Sequence, residues 1–206
     1  MDLWIQIKTL LVDSNRSVKI NEGLSKRGAE DIDKINVSPE SVMGAVIANT
    51  SGIVVDNWIN ILGQSSDQNP GVVDFNVRTC LDFGEMLAVA LDAVGGVFAL
   101  NMGRFEEDRG MVWYFAPDTL SWESLGFKYS EFIAWISKGD LDGYYSSFRW
   151  NDWKKDVEGL DGFNYGIQIY PFLWSKECDI ETASRKIIPI KEIISCNLDF
   201  EKKFSS

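Results

Sequence analysis

Residues 95–153 read GGVFALNMGRFEEDRGMVWYFAPDTLSWESLGFKYSEFIAWISKGDLDGYYSSFRWNDW. Two runs rich in β-branched and aromatic residues, Val97–Asn101 and Met111–Ala116, flank the charged tip Arg104–Gly110. That is the pattern of a hairpin. Pro117 stops the second strand because it has no N–H for the ladder. The pattern then becomes helical. Tyr129, Phe132, Ile133 and Ile136 form one apolar side, with Ser130 as the expected cap and Gly139 as the stop. Asp140 is positioned to cap a second helix, in which Leu141, Tyr144, Tyr145 and Phe148 follow the i, i+3, i+4, i+7 rule.

Upstream, Met86–Val94 is a nearly continuous apolar run separated from Val97 by Gly95-Gly96, as expected of a strand buried on both faces. Residues 43–62 read as a hairpin, GAVIAN and IVVDNWINIL around the turn Thr50-Ser51-Gly52. Gly63–Gly71, GQSSDQNPG, reads as an exposed loop. At the N-terminus Asp2 caps a helix with Leu3, Trp4, Ile7, Leu10 and Leu11 on one face, and Asp13-Ser14-Asn15 ends it. Val18–Ile20 is a short strand candidate, and Tyr165–Tyr170 and Arg185–Ile190 are two more. The expected class is α+β: a largely antiparallel twisted sheet with an N-terminal helix and short helices after the central strands. One domain is expected over 1–206. Within it, 1–40 is a helix and polar connection, 41–198 the sheet and helices, and 199–206 a frayed tail.

Composition limits the chemistry. The 206 residues contain no histidine, which excludes His-based triads, Cys-His dyads and His-ligated zinc. Catalysis would have to use carboxylates, Tyr, Lys, a lone thiol or a bound metal. There is no GxxxxGK[ST], GxGxxG or GxSxG pattern, and Glu106-Glu107-Asp108 lacks EF-hand spacing, so neither a metal nor a cofactor is expected. The net charge is −11, of which residues 41–161 carry −10. Such a balance repels nucleic acid and anionic membranes and favours encounter with a basic partner. No apolar run reaches the ~20 residues that span a bilayer. MDLWIQIKTLL has no basic n-region, so a cytoplasmic location is expected. Cys80, Cys178 and Cys196 form no CxxC pair and read as reduced, buried thiols.

Four segments carry a family resemblance: GAVIANTSGIVVDNWINILG, GGVFALNMG, the aromatic run from Trp113 to Trp153, and YPFLWS. Together they cover most of residues 43–175. They resemble a bacterial family of unknown function, domain of unknown function family 2625. Met102 stands where that family favours a glycine, and Ala93 where it favours an acid. Over residues 84–138, a strand with Gly-Gly, a hairpin strand and Tyr129-Ser130-Glu131-Phe132-Ile133 opening a helix also look like the SUKH superfamily. That likeness implies a SUKH-like fold and, for many bacterial members, an immunity protein that neutralises a toxin.

The candidate binding residues are Asp92, Asp118, Trp122, Glu123, Arg149, Trp150 and Trp153. Asp92 interrupts an apolar run, where a carboxylate needs hydrogen bonds or a cation; it caps the Gly95-Gly96 turn or acts as a raised-pKa acid. Asp118 follows Pro117 and caps the DTLSWESL turn or binds. Trp122, Trp150 and Trp153 lie beside loops, as interface anchors or as covers for the end of the sheet. Arg149 pairs with Asp118 or Glu123, or stacks on a ring. The expectation is a non-enzymatic protein-binding module for a basic partner such as a toxin. The alternative is a carboxylate-dependent hydrolase of a glycan-like neutral substrate.

Overall fold

A computed structural model describes residues 2–204. In chain order the elements are α1 (Leu3–Val12), β1 (Val18–Glu22), α2 (Ser25–Ile35), α3 (Val42–Asn49), β2 (Thr50–Val55), β3 (Ile59–Leu62), α4 (Gly71–Arg78), β4 (Met86–Asp92), β5 (Val97–Asn101), β6 (Val112–Ala116) and β7 (Ser121–Phe127). There follow α5 (Tyr129–Lys138), α6 (Leu141–Tyr144), α7 (Trp153–Asp156), β8 (Tyr165–Tyr170), β9 (Ser184–Pro189) and α8 (Ile190–Phe204). Strands β1 to β7 form one antiparallel sheet in chain order, and β8 and β9 form a separate hairpin. This is the expected α+β class with a largely antiparallel sheet.

The register sorts the side chains. Ile59 opposes Asp92, Ala90 opposes Phe98, Phe98 opposes Tyr114 and Tyr114 opposes Glu123, which places these residues on one face. On that face α5 lies over the sheet, with Phe132 5.0 Å from Phe98 between ring centroids, and α1 and α3 pack beside α5. The opposite face carries Phe115 and Trp122 and is covered by Phe83, α4 and α8. Phe83 stacks on Phe75 of α4, and Ile193 of α8 closes on Gly95. Central strands β4, β5 and β6 are buried on both faces, which explains their unbroken apolar runs.

Several elements differ from the sequence reading. GAVIAN is not a strand: it lies in α3, capped by Ser41 Oγ, which accepts from Gly44 N at 3.0 Å. A short unbroken apolar run has no periodicity with which to choose between helix and strand. Thr50-Ser51-Gly52 is accordingly part of β2, and the true hairpin turn is Asp56-Asn57. Both of these residues adopt left-handed φ (53° and 51°), which Asp and Asn tolerate. SWESLGF is the edge strand β7 rather than a turn; the turn is Pro117–Leu120, closed by Leu120 N donating to Ala116 O. The cap of α5 is Lys128, whose N–H donates to Glu131 Oε2 at 2.8 Å, rather than Ser130. Helix α2 occupies the segment read as polar connection, and α4 begins at Gly71, where the segment read as a loop ends.

The tail is helical to Phe204. Buried Ile190, Ile193, Ile194, Asn197 and Leu198 continue into Phe200, which packs on Phe172 and Trp174. Ser205 and Ser206 lie outside the described residues. All three cysteines are free. Cys80 is exposed and Cys178 and Cys196 are half-buried, so none is the sealed thiol expected.

Candidate functional site

The turn between β4 and β5 organises the interior. Gly95 takes φ 91°, which an L side chain rarely adopts, and Asp92 N donates to Gly96 O to close the turn. Asp92 is fully buried. Its Oδ1 accepts from Val94 N at 3.0 Å and Gly96 N at 2.8 Å. Its Oδ2 accepts from Tyr114 Oη at 2.7 Å and Tyr145 Oη at 3.2 Å. A side chain at Gly96 would run into Asp92 Oδ2 and the Tyr114 ring. Burial pushes the Asp92 carboxyl above its ordinary range, outweighing four hydrogen bonds that act in the other direction. Burial, then the Asp92 charge, pushes both tyrosine hydroxyls well above theirs. A carboxyl group with both oxygens occupied and fully buried is a structural tie between β4, β6 and Tyr145, the residue that ends α6.

Tyr144, beside Tyr145, connects this tie to the surface. It is half-buried, sits edge-on to Tyr114 at 5.7 Å, and feels the charges of Asp92, Glu123 and Asp118. Asp118, in the β6–β7 turn, is half-buried. Its Oδ1 is enclosed without a hydrogen-bond partner, and burial raises its carboxyl above the usual range despite bonds from its own and the Thr119 backbone N–H. Glu123 is exposed on β7, and its Oε1 accepts from Thr119 Oγ1 at 3.2 Å. Burial first, and then the charges of these three carboxylates, push the Tyr144 hydroxyl above its ordinary range.

Arg149, Trp150 and Trp153 form a second cluster around Trp58. The guanidinium of Arg149 lies 4.0 Å from the Trp153 ring centroid and 4.9 Å from those of Trp58 and Tyr145. It donates to Asp142 Oδ1 at 2.7 Å, so its partner is neither Asp118 nor Glu123. Burial lowers its pKa, against the opposing charges of Tyr145, Asp142 and Asp56. Trp150 is buried, donates through Nε1 to Asp156 Oδ2 at 2.8 Å, and lies under Arg185. Trp153 is buried against Trp58. Both indoles therefore cover the end of the sheet and are withdrawn from any surface contact. Trp122 is half-buried on the opposite face from Tyr114, edge-on to Phe83 and 5.5 Å from the Arg104 guanidinium.

Tyr145 joins the two clusters, through its hydroxyl to Asp92 and its ring to Arg149. Sequence reading placed Tyr144 and Tyr145 on a helix face but gave them no polar role, and passed over Tyr114 and Trp58. A buried Asp in an apolar strand was the available signal, since its partners must be found among nearby donors. Among the described residues no helix is long and apolar enough to cross a membrane.

Residues 2–193 match the model of the family described as protein of unknown function DUF2625, and the chain belongs to it. A relative from Escherichia coli K12, "Putative uncharacterized protein YbfG", is 34% identical over 98% of this chain and 93% of its own length. An uncharacterized protein of Haemophilus influenzae is 28% identical over 98% of this chain and 91% of its own.

Proposed function

We propose that this chain is a cytoplasmic, non-enzymatic binding module, an immunity or interaction protein that holds a basic partner such as a toxin along β7. One observation carries the reading: Asp118, Trp122 and Glu123 fall on a single hairpin whose second strand is the outermost of the sheet. Asp108 from the β5–β6 tip adds another acid there, accepting from Ser124 Oγ at 2.5 Å. Charges on an edge strand discourage pairing with another copy of the same edge. The same acids favour an extended basic segment, which can gain main-chain hydrogen bonds by strand addition. The net charge of −10 over residues 41–161 supports this direction. Co-expression with cationic proteins encoded beside this gene, then calorimetry on any pair that co-purifies, tests it. Failure to bind or protect against any of them contradicts the reading.

One feature favours the hydrolase alternative: Asp118, with Oδ1 enclosed and its carboxyl raised by burial, stands on the same β6–β7 hairpin as the exposed Glu123. An acid of raised pKa paired with a second carboxyl group is the arrangement glycoside hydrolysis uses. Turnover of a glycan panel that disappears in both Asp118→Asn and Glu123→Gln establishes that alternative; activity surviving both changes removes it.

A further inference from the structure

Among the described residues, buried polarity concentrates around the Gly63–Gly71 segment. Six of the eleven buried polar or charged residues lie in it or beside it: Gln64, Ser65 and Asn69 within, and Asp31, Thr50 and Ser51 alongside. Gln64 Oε1 accepts from Leu24 N at 2.6 Å and its Nε2 donates to Ile47 O at 2.9 Å. Asp31 Oδ2 accepts from Ser65 N at 2.7 Å, and Asn69 Nδ2 donates to Ser51 O at 3.1 Å. The segment expected to be an exposed loop is thus tied to α2, α3 and β2, and only its Ser66–Gln68 tip is exposed. Joining β3 to α4 does not require this. Burying a carboxylate and two amides is costly unless each is satisfied, and here each is, which fixes the wall in one shape.

That wall lines a cleft of about 480 Å³, within the ordinary range for small-ligand sites. Arg27 and Arg78 line it and converge on Asp74, with Arg27 Nη2 at 3.4 Å and Arg78 Nη1 at 3.2 Å. Arg27 Nε lies 3.4 Å from Asp31 Oδ1 without a hydrogen bond. These contacts are long beside the roughly 2.7–2.9 Å of a good charge-assisted bond, so a better-placed acceptor can draw the guanidiniums away. Glu22 and Asp67 also line the cleft, and Leu24, 75% exposed, supplies an apolar lip.

A purely anionic ligand would meet Asp74, Asp67 and Glu22. A purely cationic one would meet the two arginines. We infer that the cleft binds a zwitterion of amino-acid or dipeptide size. Its carboxylate is taken by the forked guanidiniums of Arg27 and Arg78, its ammonium by Glu22 and Asp67, and its side chain rests on Leu24. This site is separate from the β7 edge and does not depend on it.

A thermal-shift screen of free amino acids and dipeptides at millimolar concentration, with calorimetry on each hit, tests the inference. The expected result is stabilisation by at least one zwitterion, with its C-terminal amide and its N-acetyl form each binding about tenfold or more weakly. Arg78→Gln is expected to weaken binding about tenfold without lowering the melting temperature, since that side chain is mostly exposed. Glu22→Gln is expected to weaken the free form but not the N-acetyl form. No stabilising zwitterion, blocked forms that bind as tightly, or inorganic phosphate binding as well as the hit would each overturn it.

Discussion

Replacing Asp92 by alanine removes the acceptor of two backbone N–H groups and two tyrosine hydroxyls in a site closed to solvent. Each buried donor left without a partner costs about 1–3 kcal/mol. The two hydroxyls can rotate toward one another, so a total of about 4 kcal/mol is expected, a large part of a small domain's stability. Asp92→Asn is a different perturbation. Its carbonyl oxygen keeps Val94 N and Gly96 N, and its amide donates to the tyrosine oxygens, which accept as well as they donate. The expected loss is about 1 kcal/mol at acid pH. The pH course follows from burial. Because the folded-state pKa of Asp92 is raised, the native protein holds this proton over a window where the unfolded chain has released it. Wild-type stability from this group is therefore full below the unfolded pKa and falls as pH rises through the folded one. Asparagine does not titrate, so the deficit of Asp92→Asn shrinks from about pH 4 upward. Urea unfolding followed by tryptophan fluorescence at several pH values measures all three quantities. Equal losses for Ala and Asn, or an Asn deficit that grows with pH, would refute the account of the tie.

Gly96→Ala places a methyl against Asp92 Oδ2 and the Tyr114 ring, and a loss of about 1–3 kcal/mol by urea unfolding is expected. Arg149→Met keeps the packing against Trp58, Tyr145 and Trp153 and removes a buried charge whose Nε and Nη2 have no hydrogen bond. Its stability is expected within about 1 kcal/mol of wild type, while Arg149→Ala loses about 2 kcal/mol or more; Met as damaging as Ala would show that the cation itself is required. Native alkylation read by mass spectrometry is expected to label exposed Cys80 first. Cys178 and Cys196 should lag, because burial, then a neighbouring aspartate, raises both thiols.

The sheet was legible wherever a strand ends on a residue with an obligatory conformation. Gly95-Gly96 and Pro117 marked β4, β5 and β6 correctly, because a left-handed turn and a missing N–H leave few alternatives. GAVIAN misled because its short unbroken apolar run shows no 3.6-residue period, and the decisive Ser41 cap is one hydroxyl among many. Helix α2 was missed for the opposite reason. Its buried face holds Gly28, Asp31 and Ile32, so a charged residue occupies a core position that no apolar pattern marks. The candidate site was half legible. Asp92 announces itself as an acid in an apolar run, but its partners lie 22 and 53 residues away in sequence, and only the β5–β6 register and the position of α6 bring them together. Of the two readings open for the tryptophans, Trp150 and Trp153 take the one in which a residue beside a loop folds back over the sheet end.

The β7 edge is tested most directly by calorimetry with a basic protein encoded beside this gene, comparing wild type with Glu123→Lys and Asp118→Lys at low and raised salt. Glu123 is exposed and Asp118 half-exposed in a turn, so folding can be verified by an unchanged melting curve before binding is read. The expected result is association that weakens as salt rises and drops about tenfold or more with either reversal. Undiminished affinity in both reversed variants, or no association with any such protein, would contradict the assignment of that edge.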